Sequence, residues 1–126
     1  CFSHSGTKCT NRDPIELSRE LENRGAGEIL ITSIDRDGTM KGYDIDILNT
    51  ISSSVNIPVI ASGGAGKYEH MWEAIDYGGV SAVAAASMFH FTEQTPQEAK
   101  EFLSKKGVAV RLAYKEQADD HSNFLT

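Results

Sequence analysis

The chain has 126 residues, with twelve Lys and Arg against eighteen Asp and Glu, for a formal charge of −6. This length predicts one domain, and 40% hydrophobic with 24% charged residues excludes collagen-like, low-complexity and wholly disordered chains. The acidic balance argues against nonspecific DNA or RNA binding, no apolar run reaches the ~18 residues of a membrane span, and a complete (β/α)8 barrel of ~250 residues does not fit.

Cys1–Ser3 reads as the end of a strand. Cys1 and Cys9 are too few and too close for a disulfide scaffold, which points to a reducing cytosol. No signal-peptide pattern is visible. An opening on Cys1 rather than Met is expected of a fragment, or of a chain whose first residues were lost. Asn11 to Pro14 then opens a helix: Asp13 can cap it, Pro14 is preset for the first helical position, and Glu16 completes the capping-box spacing. Ile15, Leu17 and Leu21 recur at helical spacing until Gly25 and Gly27 stop the run.

Glu28–Ser33 is a β-branched and aliphatic stretch. Its continuous apolar core predicts a strand buried on both faces, as in parallel sheets. After a polar loop, Asp44 can cap a helix with Ile45, Leu48 and Ile51 on one face. Pro58–Ala61 is the next strand and runs straight into Ser62-Gly63-Gly64-Ala65-Gly66. A helix over about 67–77 has Met71, Trp72 and Ile75 inward. Gly78-Gly79 breaks it, and 80–86 predicts a strand of small residues. Thr95-Pro96-Gln97-Glu98 repeats the capping box and opens a helix to about Lys106, closed by Gly107. Beyond Val110 the periodicity fades.

The strand starts near 29, 58 and 81 fall roughly 25 residues apart, as expected of βα units with right-handed crossovers. The architecture predicted is α/β with a parallel sheet: half of a (β/α)8 barrel over 1–112, then a polar tail over 113–126 that frays. A small doubly wound sheet is the alternative.

In such folds ligands sit at the carboxyl ends of the strands. Three glycines within Ser62–Gly66 let a backbone approach an anion and aim N–H groups at it. The same glycines would also serve an ordinary βα turn that needs positive φ. The alanine run before Ser87 leaves room for a ligand near the Ala86 and Ser87 amides, and Ser87–Phe91 could form the short extra helix of a phosphate site. It could equally be a tight strand packed against a bulky neighbour. Asp35 and Asp37 are candidate acid–base groups at a strand end, or members of an Asp-Gly turn. His4, His70, His90 and His121 lack metal-ligand spacing, so neither a metal nor another cofactor is assigned. His90, between Phe89 and Phe91, reads as a packed structural residue, and Trp72 as core.

The stretch 28–39 (EILITSIDRDGT), with Gly42-Tyr43-Asp44, closely resembles the HisF family, the cyclase subunits of imidazole glycerol phosphate synthase. Residues 58–67 (PVIASGGAGK) and 85–91 (AASMFHF) match the same family in order and spacing, and Gly107–Arg111 is similar to its C-terminal end. The resemblance covers about residues 1–112. It implies a (β/α)8 barrel of which this chain is the C-terminal half, strands 5 to 8. It also implies a cytoplasmic lyase of glutamine-amidotransferase type, with a glutaminase partner that supplies ammonia. The substrate would be a bis-phosphorylated formimino carboxamide ribonucleotide. The products would be imidazole glycerol phosphate, for histidine, and an aminoimidazole carboxamide ribotide.

Carried over by position, Asp37 matches an active-site aspartate. Gly38, Gly63, Gly64, Ala86 and Ser87 match one of two phosphate sites. Thr32 faces the substrate pocket, Ser5 and Gly6 match a substrate-touching loop, and Glu28 matches one member of a charged ring through which ammonia enters. The two main acid–base aspartates of the family fall before Cys1. The chain alone is therefore expected to be inactive while still forming one phosphate site. Two open parallel edges invite self-association of half barrels. Alternatives are an ammonia-using subunit of surface-sugar biosynthesis and a noncatalytic phosphate-binding half barrel.

Overall fold

The computed structural model describes residues 1–4 and 6–112. Ser5 and the tail expected over 113–126 lie outside the described residues.

The chain begins with a hairpin, β1 (Phe2–Ser3) against β2 (Lys8–Cys9), antiparallel with Phe2 opposite Cys9. The strand expected to end at Ser3 is present, but it pairs with β2 rather than joining the parallel sheet that a half barrel requires. An antiparallel partner follows within a few residues, whereas a parallel partner lies a whole crossover away. Helix α1 (Pro14–Asn23) starts as its sequence predicts, with the Asp13 carboxylate accepting from the Ile15 and Glu16 amides. Glu20 pairs with Arg12 and Arg24 on its exposed side, and the Arg12 guanidinium pulls its carboxyl below the usual range.

Three parallel strands follow: β3 (Ile29–Thr32), β4 (Val59–Ser62) and β5 (Ala82–Val83), in sequential order β3-β4-β5. Ile29 pairs with Val59, and Ile60 with Ala82. Helices α2 (Ile45–Ser52) and α3 (Tyr68–Asp76) are the crossovers. Asp44 caps α2 through the Ile47 amide. Ile29, Val59 and Ala61 point to the helical side and pack with Leu48, Ile51, Met71 and Ala74.

The other face of the sheet is uncovered by the described residues. Leu30 is 60% exposed, and Thr32 and Ala82 are exposed. The expectation of a strand buried on both faces is thus corrected for β3. Strand alternation sends Ile29 and Ile31 toward the helices and Leu30 and Thr32 away from them. The strand order is sequential, with no reversal at a switch point among the described residues. What the structure establishes is an α/β fold with a parallel sheet.

The strand expected over 80–86 is shorter than its composition suggests. The chain leaves the ladder after the Ala84 amide bonds the Ala61 carbonyl, and turns into the short helix α4 (Ser87–Phe91). Thr95 caps α5 (Pro96–Lys105) through the Glu98 amide. This helix ends with paired bonds, Gly107 N–H to Ser104 O and Val108 N–H to Leu103 O, around a left-handed Gly107. Trp72 is half-buried at the outer margin of the core, edge-on to Tyr77 with Lys106 over its ring. His90 is exposed and touches the edge of Phe91, itself 70% exposed, which corrects the reading of His90 as packed. The short α4 buries Met88 and turns these two rings outward.

Candidate functional site

The carboxyl ends of β3, β4 and β5 lie side by side, so the three loops that follow meet. They enclose a cavity of about 130 Å³. Asp37 and Gly38 line it from the first loop, Ser62 to Ala65 from the second, and Ala84 to Ser87 from the third. Five of the site residues expected from sequence come together there with Asp37: Gly38, Gly63, Gly64, Ala86 and Ser87.

The second loop needs its glycines for space as well as for conformation. At Gly63, φ is +87° and a Cβ would lie 2.7 Å from the Ser33 carbonyl oxygen. At Gly64, φ is +113° and a Cβ would collide with the Gly42 carbonyl. The loops are also bonded to one another. The Gly42 amide donates to Gly64 O at 2.7 Å, and the Tyr43 hydroxyl donates to Ala84 O at 2.8 Å. Tyr43 is only 3% exposed, and burial pushes its phenol well above the ordinary range, so it stays an O–H donor.

Gly63, Gly64 and Ala65 are buried, yet among the described residues their amides donate to no protein acceptor. Buried amides are nearly always paired. The helix α4 starts at Ser87 with no side-chain cap, and the Ser87 amide, which donates to no protein acceptor among the described residues, belongs to a residue lining the same cavity. Small apolar walls, unpaired backbone N–H groups on lining residues and one carboxylate suit a compact anion with acceptor oxygens on several sides.

Other expected residues lie elsewhere. Thr32 is exposed on the open face of the sheet, beside Ser62 in register, and does not line the cavity. Gly6 sits in the hairpin against Ile34, and Ser5 is outside the described residues. Glu28 is exposed at the amino end of β3, without an ion-pair partner among the described residues. Asp35 is exposed and away from the cavity wall. No trio of His, Cys, Asp or Glu gathers to hold a metal among the described residues, and no helix of the described residues is long and apolar enough to cross a membrane.

Ala84 and Ala85 line the cavity without having been singled out as site residues. A methyl group has no chemistry to advertise; their only signal is the run of small residues. Tyr43 was equally invisible as a support, since its partner is 41 residues away.

Comparison with known proteins gives this geometry a lineage. A family model described as "Histidine biosynthesis protein" matches residues 1–95. The chain is 53% identical over 111 residues to the imidazole glycerol phosphate synthase subunit HisF of Chloroherpeton thalassium, covering 88% of this chain and 44% of that protein. It is 52% identical to the same subunit of Pelodictyon phaeoclathratiforme, with the same coverage. The chain thus spans a little under half the length of these curated relatives. A chain in the crystal structure of the Amycolatopsis orientalis BexX/CysO complex superposes with a TM-score of 0.55 at 19% identity, over 79% of this chain and 44% of that one, a likeness of fold alone. On the family match and the identity across most of its length, the chain belongs to the histidine biosynthesis family, among the HisF subunits of imidazole glycerol phosphate synthase.

Proposed function

We propose that this chain is the C-terminal half barrel, strands 5 to 8, of a cyclase subunit that makes imidazole glycerol phosphate, and that its cavity binds one of two substrate phosphates. The observation that carries this reading is that the buried residues Gly63, Gly64 and Ala65, whose amides have no protein acceptor among the described residues, line the cavity together with Ser87 at the start of α4. A phosphate oxygen satisfies such donors at no side-chain charge. That suits a chain of net charge −6, whose phosphate affinity does not come from a basic surface.

In this reading, the substrate is a bis-phosphorylated formimino carboxamide ribonucleotide. Ammonia arrives from a glutaminase partner past Glu28, whose cationic counterparts are supplied by strands outside this chain. Asp37, which lines the cavity, serves as a supporting acid or base. Thr32 and Gly6 contact the substrate outside the cavity lining, as the family resemblance implies. Among the described residues Asp37 is the only titratable group lining the cavity, and one carboxylate does not make an acid–base pair. By itself, then, the chain binds phosphate without turnover. The uncovered sheet face carrying Leu30 is closed by the rest of the barrel or, in the chain alone, by a second copy. A monodisperse monomer by light scattering counts against the second copy.

Inorganic phosphate titrated into the isotopically labelled intact protein is expected to shift the Gly63, Gly64 and Ser87 amide resonances together. Resonances that stay in place overturn the phosphate reading. Ser87→Asp sets a carboxylate among the donors and is expected to weaken inorganic phosphate binding about ten-fold or more.

A further inference from the structure

The turn that lines the cavity with Gly63 to Ala65 ends at Gly66, and two side chains from outside the cavity hold the peptide groups on either side of that residue. The Gly66 amide donates to His70 Nδ1 at 3.1 Å. The Gly66 carbonyl accepts from Gln94 Nε2 at 2.9 Å. His70 lies in the first turn of α3, and Gln94 in the connection between α4 and α5. Neither lines the cavity.

Both holders are themselves fixed. Gln94 Nε2 and the Gln94 amide each donate to Thr92 Oγ1 at 3.1 Å, and Thr92 in turn donates to the carbonyl of the fully buried Met88. The His70 ring lies against Gly42, where a Cβ would stand 3.4 Å from Cδ2. Gly42 is the residue whose amide holds Gly64. Accepting through Nδ1 places the imidazole proton on Nε2, the neutral form. Burial favours that form, with Lys67 acting in the same direction and Glu73 and Glu69 opposing it.

These bonds answer a physical need. A turn with three glycines in four positions has the largest conformational freedom of any backbone segment. N–H groups bind an anion well only when they are aimed before it arrives. Without external ties, the Gly63–Gly66 turn would have to be ordered by the ligand itself, at the expense of affinity.

We infer that His70 and Gln94 are positioning residues that clamp Gly66 from both sides and thereby hold the Gly63 and Gly64 amides in their anion-receiving arrangement. The inference rests on the phosphate reading of the cavity. It assigns a role in binding to two residues that touch no ligand, one of them 28 positions along the chain from the turn it holds.

The test compares inorganic phosphate affinity in the intact protein, followed through the Gly63 and Gly64 amide resonances, across four forms. In His70→Asn the side-chain oxygen takes the place of Nδ1, whereas in His70→Gln the polar end falls at the place of Nε2. Gln94→Leu removes the second tie. His70→Gln and Gln94→Leu are each expected to weaken phosphate about five-fold, the effect of one hydrogen bond, while His70→Asn stays within about two-fold of the parent. A residue that served only packing would not separate Asn from Gln in this way. Parental affinity in both His70→Gln and Gln94→Leu, or equal losses in His70→Asn and His70→Gln, overturns the inference. If His70→Gln does not fold, Gln94→Leu decides alone, and parental affinity there overturns it. Failure of the parent protein itself to bind phosphate removes the phosphate reading and this inference with it, and is seen before any variant is made.

Discussion

The two faces of the parallel sheet are built from the same kinds of residue and live in different surroundings. On one face, Ile29, Val59 and Ala61 are buried under α2 and α3. On the other, Leu30 and Ala82 lie uncovered by the described residues, with Thr32 beside them. Neighbouring residues of one strand therefore differ in what they contribute. Burial under a helix, rather than apolar character, sets the stabilisation. The difference also separates tasks: the covered face holds the sheet together, and the loops above the strand ends are free to shape a cavity.

The comparison can be broken or sharpened by substitution, with urea denaturation as the measure. The largest effect is expected on the covered side. Ile51 is 1% exposed in α2, and Ile51→Ala should destabilise by about 2–5 kcal/mol, the range for a large side chain removed from a packed core. A loss below about 1 kcal/mol would mean that this side is far less tightly packed than its burial indicates. Tyr43→Phe comes next. It keeps the buried ring but leaves the Ala84 carbonyl without its donor, at an expected loss of about 1–2 kcal/mol. The same change should disturb the Ala84–Ser87 resonances, because the bond ties the first loop to the third. The smallest effect belongs to the open face: Leu30→Ser in this chain, kept dilute enough to be monomeric, should stay within about 0.5 kcal/mol. A core-sized loss there would break the comparison by showing that something covers Leu30. In a longer protein with the barrel closed, the same substitution should produce that core-sized loss.

Much of this architecture was legible because it is local. Asp13-Pro14, Asp44, Thr95-Pro96 and Gly107 mark helix ends through bonds that span five residues or fewer, and each lies where its chemistry predicts. The three parallel strands and the loops after them follow from the alternation of apolar runs and helical periods. Gly38, Gly63, Gly64, Ala86, Ser87 and Asp37 could be brought to one place because each lies in a loop, or at the start of a helix, that follows a strand end.

What escaped depends on distant partners. Whether Leu30 is buried is decided by what lies across the sheet, and a four-residue apolar run carries no trace of that. Phe2–Ser3 has the composition of any strand end, and only the return at Lys8–Cys9 decides its pairing. His90 was misread because flanking aromatic residues resemble a core segment, while the short α4 turns Phe91 outward. The ties from Tyr43, His70 and Gln94 to the loops join side chains to backbone groups, which have no residue-specific signature at all.

The crowding around the Gly63–Gly66 turn has an evolutionary consequence. A side chain at Gly64 would strike the Gly42 carbonyl, and one at Gly66 would strike that of Met40, with the cavity empty or filled. Natural selection at these two positions therefore acts through folding before it acts through binding. Descendants that abandon the ligand altogether should keep both glycines for as long as they keep the loop from Ser33 to Gly42. Drift should be recorded instead at Ala86 and Ser87, which line the same cavity and already carry a Cβ there.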